Sequence, residues 1–217
     1  MKIKKLVQIA IAITSLAFGA AANAGMILTL DDGAGHSVTI TDGGTGDLDA
    51  NAGAIAWTGS LGNWLFNFTA GLSNSPAIGE PAMLDLASLN ATSRRGGNLT
   101  ITLLETGLLY PSGSNLTAIT SVGGTTSGTV SFQSLVNSST LGSFGPFSGA
   151  FSGTTSGQVD TTGGFTLTQI ATIHHEGSGV TGFNMITTVP EPATLGLLGI
   201  GLIGLAFMRK RNAGFSK

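Results

Sequence analysis

The chain has 217 residues, 9% of them charged, with 34 glycines and no cysteine. That is enough for one ordinary domain plus sorting segments, and it excludes a disulfide framework, thiol catalysis and a thiolate metal site. The net charge of -2 conceals a segregation, because two arginines face ten acids between Gly25 and Thr188 while the other seven basic residues sit at the two ends. A domain this acidic repels phosphate, so nucleic acid is excluded as a partner.

The chain opens with Lys2, Lys4 and Lys5, followed by an apolar run from Leu6 to Phe18 and then small residues ending Ala22-Asn23-Ala24. This is the layout of a secretory signal peptide over residues 1–24. The apolar run is too short to span a bilayer. Ala22 and Ala24 mark the cleavage site, Gly25 becomes the new N-terminus, and the secretion translocon is the implied partner.

Residues 25–188 form the exported domain. Apolar and polar residues alternate with period two in Met26–Leu30, Ser37–Thr41, Ala54–Thr58, Trp64–Thr69, Asn98–Thr106, Leu116–Val122, Thr129–Val136, Phe165–Ile173 and Phe183–Val189. Such alternation predicts half-buried strands. Gly-Gly pairs at 96–97, 123–124 and 163–164 predict turns, and no stretch of the domain has a helical period. Gly142–Gly157 reads as a glycine-rich connection or an irregular strand, anchored by Phe144, Phe147 and Phe151. The predicted class is all-β, an antiparallel β-sandwich or jelly-roll-like domain.

Within this domain, DGGTGDLDANAG carries Asp42, Asp47, Asp49 and Asn51. Oxygen-bearing side chains at alternate positions resemble the start of a calcium loop. The glycine falls at Gly53, one place late for an EF-hand, and Thr58 stands where a glutamate would be needed. An irregular calcium site and an Asx-rich surface turn are the two readings, and no other cofactor is implied. Trp57 and Trp64 lie on neighbouring strands of one expected hairpin and are candidates for stacking on a sugar ring. The competing reading is a core hairpin, since Trp64, Phe66 and Phe68 alternate onto one face. His174 and His175 are adjacent on a strand, point to opposite faces and cannot readily share a metal ion. No nucleophile elbow or convergent acid pair is legible, so no catalytic residue is assigned and the chain is read as a non-enzyme.

The last segment, residues 189–217, begins Val189-Pro190-Glu191-Pro192. An uncharged span from Ala193 to Met208 and the cluster Arg209-Lys210-Arg211 follow, in a basic tail over 209–217. Sixteen helical residues extend about 24 Å, somewhat short of the roughly 30 Å bilayer core. The basic stop after them marks the cytoplasmic side. A single short transmembrane helix at 193–208 is therefore expected. The prolines disfavour helix and hold the motif extended ahead of it.

This order of tripeptide, short span and basic cluster at the end of an exported chain resembles the PEP-CTERM sorting-domain proteins. The resemblance covers about the last two dozen residues and the signal peptide. It implies an exosortase as processing partner, a transient stay in the cytoplasmic membrane, cleavage near the motif, and delivery to the surface or matrix of a polysaccharide-producing Gram-negative bacterium. The expected role is structural or adhesive in that envelope or biofilm matrix. A carbohydrate-binding module of the exopolysaccharide is the alternative, with exopolysaccharide then a partner, and a secreted hydrolase is the distant one.

Overall fold

The structure, a computed structural model, describes residues 25–74 and 80–191. Ala22, Ala24, Pro192, the expected span at 193–208 and Arg209, Lys210 and Arg211 lie outside the described residues. Ten strands are present among those described: β1 (Gly25–Asp31), β2 (Ser37–Thr41), β3 (Ala54–Leu61), β4 (Trp64–Asn74), β5 (Ala82–Ser93), β6 (Gly97–Leu108), β7 (Leu116–Val136), β8 (Ser139–Val159), β9 (Phe165–His175) and β10 (Gly179–Val189). All pairings are antiparallel, in the order β2-β1-β6-β9-β7-β10-β5-β4-β3, with β8 paired to β7 off this path.

The inward positions follow the alternation. Leu99, Ile101 and Leu103 of β6, Leu84 and Leu86 of β5, and Leu167, Ala171 and Ile173 of β9 are all fully buried. Successive side chains of a strand point to opposite faces, so one apolar set per strand suffices to build this core.

One strand folds the sheet into two facing layers. The first part of β7, Ile119–Thr126, pairs with β10, and the second, Thr129–Val136, pairs with β9. The layers β2-β1-β6-β9 and β3-β4-β5-β10 then lie face to face in a sandwich-like arrangement. Across the gap, Phe132 meets Phe183 with ring centroids 5.0 Å apart. A Cβ added to Gly71 of β4 would lie 2.5 Å from Leu103 Cδ1 of β6. The covering layers are thus parts of one continuous sheet, joined through β7.

Gly123-Gly124 does not turn the chain, contrary to the sequence expectation. β7 runs through it as one strand of 21 residues. Gly124 serves close approach, as does Gly128 farther along the strand. A Cβ at Gly124 would fall 2.2 Å from the Gly182 carbonyl oxygen, and one at Gly128 would fall 2.1 Å from that of His174. Of the two readings of Gly142–Gly157, a glycine-rich connection or an irregular strand, the second holds, since the stretch lies within strand β8. One face of β8 is half-buried, with Leu141, Phe144, Phe147, Phe151 and Val159 packed against the core, and the glycines and hydroxyl residues between them explain its weak apolar signal. β5 was not read from the sequence at all, although its inward series Ala82, Leu84, Leu86, Ser88 alternates with half-buried residues.

Four inward positions in the middle of the gap are polar. Thr120 donates to Ser134 Oγ at 2.9 Å and is 3.0 Å from the Thr187 hydroxyl. The Gln169 amide donates to Thr187 Oγ1 and to the carbonyls of Leu84 and Met185 at 2.9–3.0 Å. These bonds join β9 to both β10 and β5, tying the layers together where apolar packing alone would not fix their register.

Candidate functional site: the two ends of the sheet

The register sorts the candidate residues to opposite ends. Asp31, Trp64, Ser93, Gly97, His175 and Gly179 lie at one end, and Gly25, Thr41, Ala54, Asn74, Ala82 and Val189 at the other.

At the His175 end, a cleft of about 280 Å³ opens where β7 crosses between layers, lined by Ser127–Thr129 and His174–Ser178. His174 is exposed, with Nδ1 2.8 Å from Asn98 Oδ1, whereas His175 is 2% exposed. Ser93 donates its hydroxyl proton to the Gly177 carbonyl at 2.8 Å, so the His175 Nδ1–H must donate to Ser93 Oγ, also at 2.8 Å. His175 Nε2 then accepts from the Thr181 hydroxyl at 2.8 Å. Thr126 donates to Thr181 at 2.6 Å and accepts from the Gly128 N–H at 3.2 Å. Every donor in this chain is matched by an acceptor when His175 is neutral. Burial, and secondly the neighbouring His174, hold the His175 pKa below its ordinary value.

This serine–histidine contact is not arranged for nucleophilic catalysis. The Ser93 proton is committed to a backbone carbonyl, the far ring nitrogen faces a threonine, and Ser93 is 1% exposed. A catalytic pair needs the hydroxyl proton aimed at the base and a group orienting that base. Beside it, Trp64 donates its indole N–H to the Asn98 carbonyl at 2.9 Å and packs 5.0 Å from the His175 ring.

The hairpin tips close the same end. Asp32 accepts from the backbone N–H of Ala34 and of His36, and its other oxygen is 2.7 Å from His36 Nδ1. Burial pushes the Asp32 carboxyl up, but these donors outweigh it and leave the pKa below the ordinary value.

At the Val189 end lies the aspartate loop. Asp47 is its hub. One oxygen accepts from the N–H of Asp49 and of Ala56, and the other from that of Gly43. Burial raises the Asp47 pKa, and these three N–H groups bring it below the ordinary value. Asp49 accepts from the backbone and side chain of Asn51, and Asp42 accepts from the Gly53 N–H at 2.8 Å. Each carboxylate accepts hydrogen bonds that shape the loop, Asp47 through both oxygens, and among the described residues no group of three or more His, Cys, Asp or Glu converges as a metal site.

Next to this loop is a residue that sequence reading passed over. Glu105 continues the inward series Leu99, Ile101, Leu103 of β6 and is 1% exposed. Ser73 of the facing layer donates a hydrogen bond to it. Burial pushes the Glu105 pKa up to about 7, against the Ser73 hydrogen bond and with help from the Asp42 charge. The available signal was an acid at an inward position of an alternating strand.

The sorting motif leaves from this end. Val189 is fully buried and pairs with Ala82, Pro190 is exposed and Glu191 is half-buried. β10 stops where proline removes the ladder donor. Of the two expected sugar-stacking residues, Trp64 is 2% exposed and offers no free ring face. Trp57 is half-buried, edge-on to Phe66 at 5.2 Å. The hairpin reading as core therefore holds for Trp64 and Phe66.

Residues 188–211 match the PEP-CTERM protein-sorting motif, which implies an exported chain sorted at the membrane with an exosortase as processing partner. No curated protein matches the chain. Among solved structures, the C-terminal CBM6 of LamC, a laminarinase from Zobellia galactanivorans, is similar at 11% identity over 73% of this chain and 98% of its own, with a TM-score of 0.26. A family two carbohydrate esterase from Cellvibrio japonicus is similar at 11% identity over 52% of this chain and 36% of its own, with a TM-score of 0.21. The structure of infectious bursal disease virus Gx strain is similar at 12% identity over 79% of this chain and 52% of that one, with a TM-score of 0.28. Likenesses this distant carry no argument about what the chain binds or does.

Proposed function

We propose, from the PEP-CTERM protein-sorting motif that this chain carries at 188–211, that it is a surface or matrix protein with a structural or adhesive role and no enzymatic activity. The observation that supports this most is the placement of the chain ends. Gly25 and Val189 leave the sheet at the same end, and the motif starts at the last residue of β10 without a linker. While the C-terminal segment is held in the cytoplasmic membrane, the folded domain stands directly on the membrane with its His175 end outward. Its hydrogen-bonded ends and buried Ser93–His175 pair fit a scaffold better than a reaction centre.

The test replaces Pro190 and Glu191 together by alanine. The double variant stays in the cytoplasmic membrane, read by cell fractionation and intact mass. A variant that still matured and reached the surface would overturn the sorting reading. The alternative, a carbohydrate-binding module, is favoured only by the half-buried Trp57. A pull-down on the organism's own polysaccharide separates the two, since retention lost in Trp57→Ala would replace the scaffold reading by the sugar-binding one.

A further inference from the structure

We propose that the free edge of β8 pairs with β8 of a second copy of this chain, making a two-fold dimer whose sheet is continuous across the interface. This goes beyond the envelope role and stands independently of the sorting motif.

An edge strand offers a row of unpaired backbone N–H and C=O groups to any chain that can approach, and proteins usually block such edges. The other edges of this sheet are managed. β2 has only five residues. β3 has a register shift between Trp57 and Gly59, and the aspartate loop covers it, Leu48 N–H donating to the Ala56 carbonyl at 2.9 Å and Asp47 accepting from the Ala56 N–H at 3.0 Å. β8 has 21 residues, none of them charged, and among the described residues its only ladder partner is β7. Its first half is managed as well, by Pro146 and by register shifts against β7, but its second half is regular, with Gly149 to Val159 in unbroken register against Leu116 to Thr126. Its outer face is exposed at Ala150, Ser152, Thr154, Ser156 and Gln158.

Two features select a second copy as the occupant. Apart from the Arg94-Arg95 tip between β5 and β6, the charged tips and loops of the domain are acidic and disfavour contact between copies, whereas β8 is the long uncharged edge along which they can meet. The straight segment is also self-complementary. Antiparallel pairing about Thr154, its midpoint, sets each Ser152 opposite Ser156 of the second copy. A two-fold contact of this kind closes on itself. With the β3 edge covered, the assembly stops at a dimer.

The test uses the full-length chain in detergent and measures mass by sedimentation equilibrium. Wild type is a dimer at micromolar concentration. Ser152→Lys with Ser156→Lys places like charges opposite each other twice and weakens the dimer by about tenfold or more. Ser152→Lys with Ser156→Glu places opposite charges there and restores dimerisation, which shows that loss in the first variant is not misfolding. Because the chain has no cysteine, Thr154→Cys gives a disulfide-linked dimer on oxidation, while Asn67→Cys on the interior strand β4 does not. A monomeric wild type overturns the proposal, as does a dimer indifferent to the lysine pair or a lysine–glutamate variant that stays monomeric.

Discussion

Glu105 makes stability depend on pH in a way that a single substitution isolates. Its carboxyl is 1% exposed and has a pKa of about 7 when folded, against 4.5 ordinarily. Because the folded value is the higher one, the folded chain holds a proton that the unfolded chain releases. The favourable contribution is full below pH 4.5 and is lost as pH rises through about 7. Above that, the native state carries a buried carboxylate. The displacement from 4.5 to about 7, at about 1.36 kcal/mol per unit, corresponds to about 3 kcal/mol. Glu105→Gln keeps the shape and a hydrogen-bonding partner for Ser73 but cannot ionise. Urea unfolding of both proteins across this pH range is the assay. The stability of Glu105→Gln relative to wild type rises with pH and levels off above 7, about 3 kcal/mol higher than at acid pH. A difference that stayed flat across the range would show that Glu105 ionises as freely in the fold as out of it, and the reasoning would fail.

Other outcomes follow from the opposite end. Since the His175 pKa is lowered, its contribution is full above the ordinary value of 6.5 and is lost as pH falls through its folded value. Replacement by glutamine flattens that acid-side slope in the same unfolding series. Thr181→Val leaves His175 Nε2 and the Thr126 hydroxyl without their partner and costs about 1–3 kcal/mol, read as a lower urea midpoint. Gly128→Ala drives a methyl group into the His174 carbonyl and costs about 1–3 kcal/mol or more; an unchanged melting temperature would show that β7 crosses the layers with room to spare. Calcium and a chelator give midpoints within about 1 °C of each other, because the loop carboxylates are already satisfied by backbone donors. A shift of several degrees would restore the calcium reading of Asp42, Asp47, Asp49 and Asn51.

Much of the fold was legible because period two survives wherever one face of a strand is buried. β1, β2, β6, β9 and β10 are readable this way, since mostly apolar inward residues such as Leu28, Ile40, Leu99, Leu103, Leu167 and Phe183 alternate with less buried, mostly polar ones. β8 was legible only as a connection or an irregular strand, because its inward Leu141, Phe144, Phe147, Phe151 and Val159 are only partly buried and do not recur with period two. Gly123-Gly124 misled because glycine serves both for turning and for close approach, and only neighbours distant in sequence, such as Gly182, distinguish the two. The candidate sites divide the same way. The aspartate loop was identifiable from spacing as a turn or a calcium loop, whereas the role of Asp47 as its hub and the pairing of Ser93 with His175, 82 residues apart, came from the fold.

The sequence by itself determined that this chain carries a sorting motif, which implies export, and what kind of domain it carries. Both are written locally, as Pro-Glu-Pro with an apolar run and basic cluster for the first, and as period-two alternation for the second. Tertiary structure decided what the inward polar residues do. Glu105, His175 and Gln169 look ordinary along the chain, and their energetics arise only when a facing layer removes water and supplies Ser73, Thr181 or Thr187 as partners. Structure also decided which long sheet edge has no second ladder partner among the described residues, because an edge is defined by what pairs with it, and that is a property of the whole sheet rather than of any strand's sequence.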